Sequence, residues 1–227
     1  MDSTTNTSIP PFAILRGLPS QTRISKVSSP FDFSHYGRVP TSEILHEAAT
    51  IVSQYSDADL LEIKHTLQDF VSLTLEDFRH SKCSVEQPSG AWLTIRMTKI
   101  DESTPPRWHR DGRMFSCSEP GEIHSKYAIT LLGNTTPVLA ESRLVSEVIG
   151  DDDRDEDVQA YRAERLAGEP LIPIDLGKII RFSWGQKDSP VHSEPDQKGD
   201  RIFISILYGT RSEIKEMCAW REEDYVE

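Results

Sequence analysis

The segment Pro106-Arg107-Trp108-His109-Arg110-Asp111-Gly112 is the densest cluster of polar chemistry in the chain. In an extended backbone, residues two apart project to the same side, so His109 and Asp111 converge while Arg110 points away, and Gly112 permits a tight exit. A neutral imidazole beside a carboxylate offers two ligands to a borderline divalent metal. His192, which follows the strand-like run Lys178 to Trp184 and a short turn, is a candidate third ligand. Two imidazoles and one carboxylate leave further coordination positions open to small molecules. Arg201 opens the next strand-like run, Arg201 to Tyr208, where a guanidinium fork can hold a carboxylate through two hydrogen bonds; Arg201, Phe203 and Ser205 share one face of it. The same residues also admit a plainer arrangement, with His109 and Asp111 paired structurally at a strand end and His192 exposed in the polar stretch His192 to Asp200.

The elements that must position these residues are legible from periodicity. Ile44, Leu45, Ala48, Ile51, Val52 and Tyr55 recur at spacings of three and four, which lines one helix face, and Thr41 or Ser42 can cap it. A second helix follows Asp57, with Leu60, Ile63, Leu67, Phe70 and Val71 on one stripe, and ends before Pro88. After Gly90 the period shortens to two: Trp92, Thr94, Arg96 and Thr98 alternate with Leu93, Ile95 and Met97, as in a half-buried strand. Tyr127 to Leu132 and Val138 to Ala140 add further strands, each bounded by turn-forming residues. Residues 1–40 show no sustained period and read as a loop-rich arm. Residues 141–170 read as an acidic insertion, with the run Asp151 to Asp157 solvated and a short surface helix over Val158 to Ala167. His124 reads as a residue of the loop Glu119 to Ser125. The expected class is α+β, a single unit over 1–227: helices in 41–88 pack on one face of an antiparallel sandwich or barrel in 89–211. No strand, glycine-rich loop and helix follow one another as a dinucleotide or nucleotide-phosphate site requires.

Composition narrows the partners. With 25 Lys plus Arg against 37 Asp plus Glu, the net charge of -12 repels nucleic acid. The apolar runs are far shorter than the roughly 20 residues that span a bilayer. Met1 to Pro11 lacks the basic and apolar regions of a secretion or transit signal, so a cytoplasmic location is expected. Three widely spaced cysteines, Cys83, Cys117 and Cys218, form no C-x-x-C pair and read as reduced thiols.

Taken in order, His109, Asp111, His192 and Arg201 resemble the Fe(II)/2-oxoglutarate-dependent dioxygenase superfamily, which carries H-x-D, a distal His and an Arg or Lys shortly after it. The matching stretches are Trp92 to Gly112, Tyr127 to Ala140 and Gly177 to Arg211. The resemblance implies a double-stranded β-helix, that is, a jelly-roll or cupin-like core. It implies Fe(II) at His109, Asp111 and His192, and the distal carboxylate of the cosubstrate 2-oxoglutarate at Arg201. The reaction would use O₂ to hydroxylate, desaturate or cyclise a small molecule, such as an amino acid or natural-product intermediate. Thr94, Arg96, Trp184 and above all Tyr127 lie on strands that would flank the metal, and the Tyr127 hydroxyl is the best placed to bond the cosubstrate. Many members have Ser or Thr two residues after the Arg, whereas this chain has Phe203. That departure keeps two alternatives open: a cupin-like metal enzyme that does not use 2-oxoglutarate, and a non-catalytic barrel that binds a small ligand.

Overall fold

A computed structural model describes residues 10–19, 22–81, 87–100, 104–112, 115, 124–150, 157–184, 189–194 and 198–227. Cys83, Cys117, the acidic residues 151–156 and most of the turn before His192 lie outside the described residues. Two strands open the chain, β1 (Phe12–Gly17) and β2 (Phe31–Gly37), followed by helices α1 (Ser42–Tyr55) and α2 (Leu60–His80). Then come β3 (Gly90–Ile100), β4 (His124–Leu132), α3 (Arg143–Ile149), α4 (Val158–Arg165), β5 (Lys178–Trp184), β6 (Gly199–Gly209) and α5 (Arg211–Arg221). The strands form one sheet in the order β1-β5-β4-β6-β3-β2, and every neighbouring pair is antiparallel.

The sheet separates an apolar layer from a polar one because its strands alternate. Leu93, Ile95 and Met97 of β3, Tyr127 and Ile129 of β4, and Ile202, Ile204 and Ile206 of β6 join one core cluster with Val52, Leu67 and Phe70 of α1 and α2. The helices begin on side-chain caps: Thr41 Oγ1 accepts from Ile44 N, and Asp59 accepts from the backbone of Leu61 and Glu62. The expected N-terminal helices therefore cover one face of the sheet.

The other face is closed by a second, smaller layer of short extended segments. His109 and His192 exchange backbone hydrogen bonds of 3.0 Å in both directions, Leu139 N donates to Val191 O at 2.9 Å, and Ile172 N donates to Val138 O at 2.8 Å. These bridges place 109, 192, 138–139 and 171 side by side, and two layers with a cavity between them make the double-stranded β-helix (jelly-roll) core.

Three regions differ from the sequence-based expectations. The arm over 1–40 is not loop throughout, since β1 and β2 form the two edges of the sheet. In β2, Phe31 and Phe33 turn toward the helices, but Tyr36 and Gly37 are buried as well as His35, so the alternation that marks a strand fades. Residues 141–170 contain α3, capped by Ser142, ahead of the expected α4, which Asp157 caps. The β region is followed by α5, whose Thr210 and Glu213 form a reciprocal capping box. Only Ile214, Met217 and Cys218 of that helix give an apolar stripe, too short for periodicity alone to reveal.

Candidate metal centre

The antiparallel bridge explains how two histidines so far apart in sequence meet. His109 and His192 are directly opposed residues of adjacent strands, so their side chains rise on the same face, with ring centroids 4.5 Å apart. Asp111, two residues on from His109, rises beside them: its Oδ1 lies 3.7 Å from Nε2 of each histidine. One ligand atom from each of the three residues falls within 4.8 Å of the other two. Arg107 locks the two segments in register through a forked pair with Glu194, at 2.6 and 3.2 Å. Arg110 points away, as expected, to Glu141 and the Ser189 carbonyl.

The protonation pattern suits metal ligation. His109 Nδ1 donates to Arg107 O at 2.8 Å, and His192 Nδ1 donates to Pro190 O at 3.1 Å. Because a carbonyl can only accept, both Nδ1 atoms carry the proton and both Nε2 atoms keep the lone pair that a metal uses. Burial pushes the His192 imidazole down to about 4, against the opposing pull of Asp111, so it is neutral at pH 7. For Asp111 burial acts upward, but the Lys126 ammonium at 3.2 Å, with the two imidazoles beside it, outweighs it and holds the carboxyl well below the usual range. Lys126 Nζ occupies Asp111 Oδ2 at 3.2 Å, which leaves Oδ1 facing the histidines. The donor set, two bare imidazole nitrogens and a deprotonated carboxylate oxygen converging on a cavity, fits a divalent transition metal such as iron.

That cavity has a volume of about 210 Å³ and lies between the small layer and the β3 and β6 face of the sheet. Arg201 reaches into it and is 6% exposed. Its Nε donates to Asn134 O at 3.0 Å and its Nη2 approaches Thr136 Oγ1 at 3.4 Å. Gly133 makes this possible: its φ of +82° turns the chain at the end of β4, and a Cβ there would strike Asp200 O and the Arg201 backbone. Burial lowers the guanidinium to about 10, partly opposed by Glu194, and it stays charged at neutral pH. Among the described residues no carboxylate lies within ion-pair distance of Arg201. Phe203, the departure noted in the sequence, has its ring under the guanidinium carbon, 4.6 Å from the ring centroid. Hydroxyls come from elsewhere: Thr136, and Thr98, which is directly opposed to Arg201 on β3 and whose Oγ1 is buried without a partner among the described residues.

The structure therefore gathers His109, Asp111, His192 and Arg201 around one cavity, with Thr94 and Arg96 on its wall. It does not bring Tyr127 there. Tyr127 is fully buried on the helix-covered face, where its hydroxyl donates to Asp77 Oδ2 at 2.9 Å. A shift of one residue along a strand reverses the face, and it is Lys126 that meets the cavity. The signal was present: Tyr127, Ile129 and Leu131 share one parity, while charged Lys126 takes the other. Trp184 packs with Phe115 outside the cavity lining. His124 is not a loop residue. It opens β4, stacks on Trp184 at 4.7 Å and lies 3.4 Å from Glu213, away from the triad. Sequence reasoning also missed Thr98, Thr136 and the Arg107–Glu194 clamp, which depend on contacts between distant segments.

A larger, more open hollow of about 520 Å³ is lined by Leu18, Ile24, Asp57 and Leu131. Its acid, Asp57, is already held by Ser25 and Lys26, so it presents no comparable chemistry.

No known family profile matches the chain, and neither does any curated protein. Solved structures do resemble it. EvdO2 from Micromonospora carbonacea var. aurantiaca, complexed with 2-oxoglutarate, is 10% identical over 81% of this chain and 87% of that one, with a TM-score of 0.41. HygX from Streptomyces hygroscopicus, with iron bound, is 11% identical over 89% and 83%, with a TM-score of 0.39. The non-haem α-ketoglutarate-dependent carbocyclase SnoK from nogalamycin biosynthesis is 14% identical over 52% of this chain, with a TM-score of 0.32, and the match spans 47% of that protein. At these scores the likeness is a loose one of overall form.

Proposed function

We propose that the chain is a non-haem Fe(II)/2-oxoglutarate-dependent oxygenase acting on a small molecule. The observation that carries this reading is the pairing, in one 210 Å³ cavity, of a His-Asp-His donor set with a buried arginine that lacks a carboxylate partner among the described residues. A guanidinium buried without a counter-charge is unfavourable, and a dicarboxylate that reaches from Arg201 to the donor set would supply one.

His109, Asp111 and His192 would hold the iron. Their backbone-bonded Nδ1 atoms and the Lys126 contact fix which atoms face it. Arg201, backed by Phe203 and flanked by Thr98 and Thr136, would orient the far carboxylate of 2-oxoglutarate. When bound, iron and 2-oxoglutarate together supply the activation of O₂ and an oxidation of the substrate, with succinate and CO₂ as coproducts. The protein's own contribution is position and exclusion of water: Trp92, Phe182 and Phe203 give the cavity apolar walls. The cavity volume suits a small metabolite rather than a folded protein.

The test is anaerobic reconstitution followed by two readings, iron per chain and O₂-dependent release of succinate from 2-oxoglutarate. The parent should hold one iron, and His109→Ala, Asp111→Ala and His192→Ala should each lose both readings. A His192→Ala protein that retains iron and turnover would remove His192 from the ligand set.

A further inference from the structure

The wall of the cavity formed by β3 carries a polar strip separate from the one at Arg201. Trp92, Thr94 and Arg96 are spaced two apart and line the cavity together. Trp92 and Thr94 are 8% and 4% exposed, and neither Trp92 Nε1 nor Thr94 Oγ1 has a hydrogen-bond partner among the described residues. Indole and guanidinium groups only donate, and a hydroxyl can donate, so this strip offers hydrogens with nothing to accept them. Arg221, at the end of α5, lies over the Trp92 ring at 4.3 Å and adds a second cation at the same end.

The charges around the cavity point the same way. Arg107 is taken by Glu194 and Lys126 by Asp111, the two carboxylates that line it among the described residues. Arg96, Arg201 and Arg221 remain without an ion pair among the described residues, in a chain whose net charge is -12. A divalent metal at the donor set and a dicarboxylate at Arg201 cancel each other, so the excess of positive charge persists once both are bound. With a cavity of about 210 Å³ shared between cosubstrate and substrate, a compact acidic group is what fits.

We propose that Trp92, Thr94 and Arg96 form a second carboxylate site, which makes the primary substrate a small organic acid held by its carboxylate against β3. This rests on the oxygenase reading above, with 2-oxoglutarate seated at Arg201.

The experiment loads the full-length protein anaerobically with Fe(II) and 2-oxoglutarate and titrates it with two acids, hexanoate and phenylacetate, and with their neutral isosteres hexanamide and phenylacetamide. Binding is read from tryptophan fluorescence and by calorimetry. At least one acid should bind about tenfold or more tightly than its amide, the order expected of a charge-assisted hydrogen bond. Arg96→Ala should remove that preference, and Thr94→Val should reduce it. Arg96 is exposed, so its replacement should leave the fold intact. The 2-oxoglutarate affinity of Arg96→Ala, measured in the loading step, should stay near the parent value, which separates this site from that of Arg201. Equal affinity for acid and amide, binding of neither, or an undiminished preference in Arg96→Ala would overturn the proposal. Failure of the parent to bind 2-oxoglutarate at all would instead strike the reading beneath it.

Discussion

Arg181 and Arg201 lie on opposite faces of one sheet, 7% and 6% exposed, and they are partnered in opposite ways. Arg181 faces the helices, donates to Asp77 Oδ2 at 2.9 Å and to Ser81 Oγ at 2.6 Å, and shares Asp77 with the Tyr127 hydroxyl. That cluster joins α2 to β4 and β5 with its carboxylate in place. Arg201 faces the cavity and has a carbonyl, a hydroxyl and an aromatic ring but no carboxylate among the described residues. The same chemical group in the same sheet joins elements where its charge is neutralised from within and, in the function proposed above, receives a ligand where it is not. The hydroxyls follow suit. Thr74, toward the helices, bonds Tyr208 at 2.8 Å, whereas Thr94 and Thr98, toward the cavity, have no partner among the described residues.

Removing charge from each face should break this comparison in different currencies. Asp77→Ala strands a buried guanidinium, and a loss of about 3 kcal/mol is expected in denaturant unfolding, with iron affinity of the folded protein unchanged. If Asp77→Ala instead unfolded like the parent, the helix-side cluster would not be structural. On the cavity side, acid should act through His192. Its folded value of about 4 lies below the 6.5 of the free side chain, so the unfolded chain binds more protons between those values. Metal-free protein should therefore lose stability as the pH falls from about 6.5 to 4, by on the order of 3 kcal/mol from this one group. His192→Gln should flatten that part of the stability profile, and an unchanged slope would locate the acid sensitivity elsewhere.

Smaller effects sharpen the contrast. Arg201→Ala should weaken 2-oxoglutarate binding by about 30-fold or more while iron content holds. Arg201→Lys should recover part of that affinity, because the ammonium keeps the charge and loses the fork. Arg201→Met should unfold at the same or slightly higher denaturant concentration than the parent, a gain of up to about 1 kcal/mol, because it deletes a buried charge that has no carboxylate partner among the described residues. A marked loss of stability in Arg201→Met would make Arg201 a structural residue like Arg181.

The strands and helices that were readable in the sequence are those whose pattern is uninterrupted. Lys178 to Trp184 is β5 residue for residue, and the stripe from Leu60 to Val71 lies within α2. The edge strands were not readable, because β1 is half exposed and β2 buries three successive residues, His35, Tyr36 and Gly37, which erases alternation. His109, Asp111, His192 and Arg201 could be named because residue type and order carry the information. Tyr127 falls on the other face, a placement that its parity with Ile129 and Leu131 and the opposite parity of Lys126 already carry. Thr98 and Thr136 were invisible for a different reason: they become neighbours of Arg201 only through the β3–β6 pairing and the Gly133 turn.

The most direct test is an anaerobic titration of the Fe(II)-loaded protein with 2-oxoglutarate, followed by the visible charge-transfer absorbance that the iron–2-oxoglutarate chelate produces. The parent should develop the band and saturate at one equivalent per chain. Arg201→Ala should need far more 2-oxoglutarate to reach the same band, and Asp111→Ala should show none. Iron bound at one per chain with no band at any 2-oxoglutarate concentration would contradict the assignment of Arg201 and leave a metal site of another kind.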